Sequence, residues 1–124
     1  MQKLFDLSAL DESVLLLPLP DSIFGFHGQQ ATEKLLKALL AAHQVNYPLS
    51  HSLKTLIKLA EGCGERFPMF PYDPLLLEPY AVQNRYDFGP IIDENERTDI
   101  RSTLALLRGF VASRSLDIEG RHGP

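Results

Sequence analysis

A single cysteine, Cys63, stands in a chain of 124 residues. One thiol makes neither an internal disulfide nor a cysteine-rich zinc site, and it suits a reducing compartment. Long hydrophobic runs are also missing. The longest, Val14 to Leu19, is broken by Pro18, far short of the ~18–20 residues that cross a bilayer. The N-terminus lacks the basic start, apolar middle and small-residue cleavage site of a signal peptide. Positive charge is not in excess: twelve Lys and Arg face sixteen Asp and Glu, for a net charge of −4. A protein that coats nucleic acid by bulk charge is thereby disfavoured, although a local basic cleft is not. No glycine-rich phosphate loop, His-Glu-x-x-His or Gly-x-Ser-x-Gly occurs. His27 and His43 lie sixteen residues apart on one expected helix, about 24 Å along its axis, so they cannot share a metal. No metal or cofactor is expected. The expectation is one small soluble, cytoplasmic domain of ordinary globular composition, 44% hydrophobic and 23% charged.

What is present reads as helix. Leu4, Leu7, Leu10, Val14 and Leu17 recur every three or four residues, predicting a helix over 2–17 that Pro18 and Pro20 end. Asp21 is the expected cap of a second helix over 22–44. This segment has no proline and is rich in Leu, Ala, Lys, Glu and Gln, with Gly25 and Gly28 the exceptions near its start. On a helical wheel Phe24, Ala31, Leu35, Ala38, Leu39 and Ala42 share one face, and Phe26, Leu36 and Leu40 a second flank. A thin polar stripe of His27, Gln30, Lys34 and Lys37 runs between them. Apolar flanks on both sides predict a central helix, packed on its own domain and on a partner subunit. A third helix is expected over 51–61, capped by Ser50 and stopped by Gly62 and Gly64. Phe67, Phe70 and Tyr72 pin a loop over 65–72. Asp73-Pro74 and Glu78-Pro79 each read as a cap followed by a helix-opening proline. They predict a short turn at Leu75 to Leu77 and a separate short helix over 80–86. A loop over 87–92 precedes a last helix over 93–116, with Ile100, Leu104, Leu107, Phe110 and Val111 facing inward. Nothing reads as strand. Residues 118–121, Ile-Glu-Gly-Arg, equal the recognition sequence of a clotting protease used to remove tags. The domain is therefore set at 1–117, with 118–124 a tail of vector or native origin. The fold expected is an all-α, up-down four-helix bundle with a short additional helix.

The polar residues have functional and purely structural readings. Gln30, Lys34 and Lys37 could hold a phosphate or a base edge, or they could solvate the one wet strip of a buried helix, with Glu33 and Lys37 pairing at i,i+4. His51, at the expected start of helix three, is a candidate proton acceptor or a helix-start residue bonded to a neighbouring loop. Arg85 could present its planar fork to a phosphate or pair with Asp87.

Residues 26–40, Phe-His-Gly-Gln-Gln-Ala-Thr-Glu-Lys-Leu-Leu-Lys-Ala-Leu-Leu, resemble the signature helix of HEPN domains (higher eukaryotes and prokaryotes nucleotide-binding). That family shows Phe-His-x-Gln-Gln-Ala-x-Glu-Lys-x-Leu-Lys-Ala there. A Thr-His-Asp-Leu-like helix start follows, matched by Ser50-His51-Ser52-Leu53. A Pro-Tyr-x-Val-x-x-Arg-Tyr-Pro-like element comes later, matched by residues 79–87, with Asp87 in place of the last proline and Ser52 in place of the Asp. The three blocks cover most of residues 20–90, and the first helix is shorter at its start than is usual in the family. The resemblance implies an all-helical bundle, commonly a homodimer, often paired with a small nucleotidyltransferase in a toxin–antitoxin module. Many members are metal-independent ribonucleases with Arg followed by His four to six residues later. No arginine here has a histidine four to seven positions on, so the resemblance implies the branch without that motif. The expected function is a nucleotide- or RNA-binding accessory subunit. The alternatives are a ribonuclease with a composite site at a dimer interface, using His51 and Arg85, and a purely structural dimerisation module. Lys34, His51 and Arg85 are expected to converge on one anion site, with amides at the start of helix three as further donors.

Overall fold

The structure, a computed structural model, describes residues 2–47, 49, 51–81 and 91–122. Among them lie four α-helices, α1 (Gln2–Val14), α2 (Asp21–Ala42), α3 (Leu53–Gly62) and α4 (Glu94–His122), one 3-10 segment (Pro74–Tyr80) and no strand. No helix among them is long and apolar enough to cross a membrane. The all-α bundle with a short extra helix is the architecture expected. α2 is its hub and packs against α1, α3, α4 and the 3-10 segment. Phe24, Leu35, Leu39 and Leu40 of α2 are fully buried, and Leu56, Leu77, Leu104 and Leu107 come in from the other elements.

The second flank of α2 is covered from within the chain at Leu36 and Leu40, whereas Phe26 stays half-buried, its ring edge-on to His27. Leu36 and Leu40 are 1% and 0% exposed, so neither waits for a partner subunit, contrary to the wheel. The helix starts without a side-chain cap. Pro20 takes the cap position in extended conformation, its carbonyl accepts from the amides of Ile23 and Phe24, and Asp21 is the first helical residue. At the other end Gln44 adopts φ 61°. The Gln44 amide donates to Ala41 and that of Val45 to Leu40, a Schellman closure that stops the helix at Ala42.

α1 rotates away from the leucine stripe. Leu7, Leu10 and Leu17 are 36%, 65% and 54% exposed, whereas Ser8, Asp11 and Leu15 are buried. The cause lies on neighbouring helices. Ser8 donates to the Ala31 carbonyl, Asp11 meets two basic side chains of α2, and Glu12 pairs with Arg108 of α4. α1 also ends at Val14, and a turn carries the chain to Leu17.

α3 opens at Leu53, two residues later than expected. Ser52 is its cap and accepts from the Thr55 amide; Ser50 lies outside the described residues. Its far end closes at Gly64, with φ 93°, where the Glu65 amide donates to Ala60. Through both Asp/Glu-Pro signals the described chain runs as one 3-10 segment, longer than the turn expected at Leu75 to Leu77. Asp73 caps it through the Leu75 amide. Its i→i+3 bonds include Leu76 to Asp73 and Ala81 to Glu78, on either side of Pro79, which donates none. Residues 82–90, most of the predicted short helix and Arg85 with it, lie outside the described residues. α4 begins with a reciprocal capping box between Asp93 and Glu96. It continues past Leu116 to His122, because Ile118, 2% exposed, is the next inward position after Val111 and Ser115.

Candidate functional site

Two buried carboxylates organise the polar stripe of α2. Asp11 of α1 reaches across it: Oδ1 lies 2.8 Å from His27 Nδ1, and Oδ2 bonds the Lys34 ammonium. The second is Glu33, 4% exposed. Its Oε2 accepts from Lys37 Nζ at 3.1 Å and its Oε1 from His51 Nδ1 at 2.8 Å. Gln29 Nε2 donates to the same Oε1 at 3.2 Å and to the His51 carbonyl at 3.1 Å. Gln30 in turn donates to Gln29 at 2.7 Å. The Lys37 ammonium also lies 5.5 Å from the centre of the Tyr47 ring, a cation–π distance.

His51 is the outward part of this network. A carboxylate offers only acceptors, so Nδ1 carries a proton. The ring is nevertheless 68% exposed. Its orientation is set from below by Glu33, while its Nε2 edge remains available for proton exchange or hydrogen bonding.

A family model for the HEPN domain matches residues 22–114, three quarters of the chain. The chain belongs to the HEPN domain family. No curated protein and no solved structure matches it. The HEPN match runs from the start of α2 to Arg114 in α4, so the Glu33 network lies within it and Asp11 before it. Membership points to a nucleotide- or RNA-related function in general.

Of the residues singled out from the HEPN sequence, Gln30, Lys37 and His51 come together around Glu33, and Lys34 turns to Asp11. Arg85 lies outside the described residues. The α3 amides have acceptors of their own. Leu53 and Lys54 donate to the Glu78 carboxylate and Thr55 to Ser52. A phosphate at that helix end would meet a negative charge in place of free donors. Sequence reasoning took Glu33 only as an i,i+4 partner of Lys37, Glu78 only as a cap and Gln29 only as part of the signature block, and did not register Asp11. The available signal was that a hub helix must satisfy every polar group it buries. No group of three His, Cys, Asp or Glu among the described residues could hold a metal ion.

A second buried carboxylate cluster lies at the far end of α2. Glu65 Oε2 is 2.7 Å from His43 Nε2, and Oε1 accepts from Arg114 Nε at 2.7 Å. Burial pushes the Glu65 carboxyl up, but hydrogen bonds and charge from Arg114 and His43 outweigh it and hold the group below its usual range. The same pairing raises Arg114.

Proposed function

We propose that this HEPN chain is a nucleotide- or RNA-binding accessory subunit that works as a homodimer beside a small nucleotidyltransferase, in a cytoplasmic module of the toxin–antitoxin kind. The observation that supports it is the exposed His51 ring fixed through Nδ1 to the buried Glu33. Ligand contact falls to His51 and to the neighbouring Gln30, with Arg85 supplying a guanidinium for phosphate. Lys34 and Lys37 serve their carboxylates first. Removing either would leave Asp11 or Glu33 short of a partner in a poorly solvated place.

The test is a titration of isotope-labelled protein with nucleotides and short RNAs, followed at the His51 ring. The expected result is a saturable shift at His51 that is lost in a folded His51→Ala protein. Arg85→Ala should weaken binding by about 1.5–3 kcal/mol, the range for a charge-assisted hydrogen bond. Binding that ignores both substitutions would remove the reading.

The same pair favours one second reading. An imidazole whose Nδ1 is held by a carboxylate is the usual form of a general base, which suits a metal-independent ribonuclease completed across a dimer. Cleavage of an RNA panel in the presence of chelator, abolished by His51→Ala, would establish it in place of the first.

A further inference from the structure

A pocket of about 220 Å³ opens between α2, α3, α4 and the chain from Phe67 to Leu75. Leu36, Ile57, Phe67, Phe70 and Leu107 give it an apolar wall, and Phe67 and Phe70 stand 6.5 Å apart. Two exposed carboxylates, Glu61 and Asp73, stand at its edge beside Thr32, and no lining residue is basic. Asp73 uses one oxygen to cap the Leu75 amide. Among the described residues its other oxygen and both oxygens of Glu61 have no hydrogen-bond partner. The pocket therefore accepts a flat apolar body with N–H donors on its edge and repels an anion.

The surface beside it has the opposite character. Lys54 and Lys58 lie one turn apart on the exposed side of α3, within about 60° of Glu61 on the helical wheel. Neither has a carboxylate partner among the described residues. His51 precedes them at the start of the same helix.

We propose that the pocket holds a guanine base of single-stranded RNA, with the strand's phosphates lying along Lys58 and Lys54 toward His51. The proposal rests on the nucleotide-binding reading above and names its ligand. Guanine carries two adjacent donors, N1–H and the N2 amine, that match one carboxylate in a bidentate pair. Adenine and cytosine place a ring acceptor next to their amine, and uracil flanks its N–H with carbonyls, so each sets an acceptor against a carboxylate. The aromatic wall stacks any base, and the carboxylates choose among them.

The experiment is an NMR titration of the whole chain with the four nucleoside monophosphates and with short single-stranded RNAs of differing base. The expected result is shifts at Ile57, Phe67 and Phe70, with guanosine monophosphate bound at least about tenfold tighter than the others. Glu61→Gln with Asp73→Asn, which keeps the cap, should level that preference without unfolding the domain. Lys54→Ala and Lys58→Ala should weaken oligonucleotide binding and lower its salt dependence by about one unit of slope each. Equal binding of the four bases, or shifts that avoid the pocket, overturns the proposal. RNA binding that needs His51 but ignores base identity removes it and leaves the function standing. No nucleotide binding at all removes both.

Discussion

Gly25 and Gly28, one turn apart in α2, respond in opposite ways to the same added methyl group. A Cβ at Gly25 would lie 2.4 Å from Cγ and Cδ1 of Tyr80. A flip of the ring leaves Cγ in place, so relief needs a new χ1 or a backbone shift in a side chain that is 5% exposed. Gly25→Ala is expected to lose about 1–3 kcal/mol, the cost of overpacking. At Gly28 the nearest atoms, on Ile100 and Leu77, are 3.5 and 3.6 Å away, ordinary contact distance. Gly28→Ala is expected to gain about 0.5–1 kcal/mol by stiffening the unfolded chain and improving helix propensity. Urea denaturation of both variants checks the pair. Propensity alone scores the two glycines alike, and the ring of Tyr80 separates them.

Between elements, polar ties carry much of the assembly. Glu65 joins the end of α2 through His43 to α4 through Arg114. Its carboxyl titrates below its ordinary value of 4.5, so folding favours the ionised form. That contribution is complete above about pH 4.5 and is lost as pH falls through the lowered folded value. Glu65→Gln should therefore be less stable than the parent at neutral pH, and the gap should close below pH 4.5. Denaturant midpoints measured across that range test it. α1 depends on a similar tie. Arg108 donates to Glu12 and to the Phe5 carbonyl and lies 4.1 Å from the Phe5 ring centre. Arg108→Ala should speed amide exchange throughout α1 while the centre of α2 keeps its protection. Equal loss in both helices would show that α1 is not a separately opening unit.

At the scale of the molecule, Ile23 and Phe26 of the central helix stay half-buried, while exposed leucines lie on and just after α1. Leu7 and Leu10 are exposed on α1, and Leu16 and Leu17 in the turn after it; grouped exposed leucines commonly mark an interface. The homodimer proposal therefore moves from α2 to α1. Light scattering is expected to give twice the 13.9 kDa of one chain, and Leu10→Glu is expected to halve that mass without loss of helicity. A parent protein already at the single-chain mass would remove the proposal.

The helices were legible in the sequence because helical period and chain breakers are local properties. Pro18 and Pro20 separate α1 from α2, Gly64 closes α3, and the block from Phe26 to Leu40 carries the family. Gln30, Lys37 and His51 were legible as polar residues of one region. What holds them was not, because Glu33 meets His51 eighteen residues away and Glu78 meets Leu53 twenty-five away. Nor was the face that α1 buries. Leu7, Leu10 and Leu17 share one helical stripe, Ser8, Asp11 and Leu15 another, and hydropathy favours the leucines. Tertiary structure buries the other stripe, because α2 offers a carbonyl and two basic side chains where Ser8 and Asp11 arrive. A buried polar group is stable only where its partner stands, and the partner's position belongs to the fold.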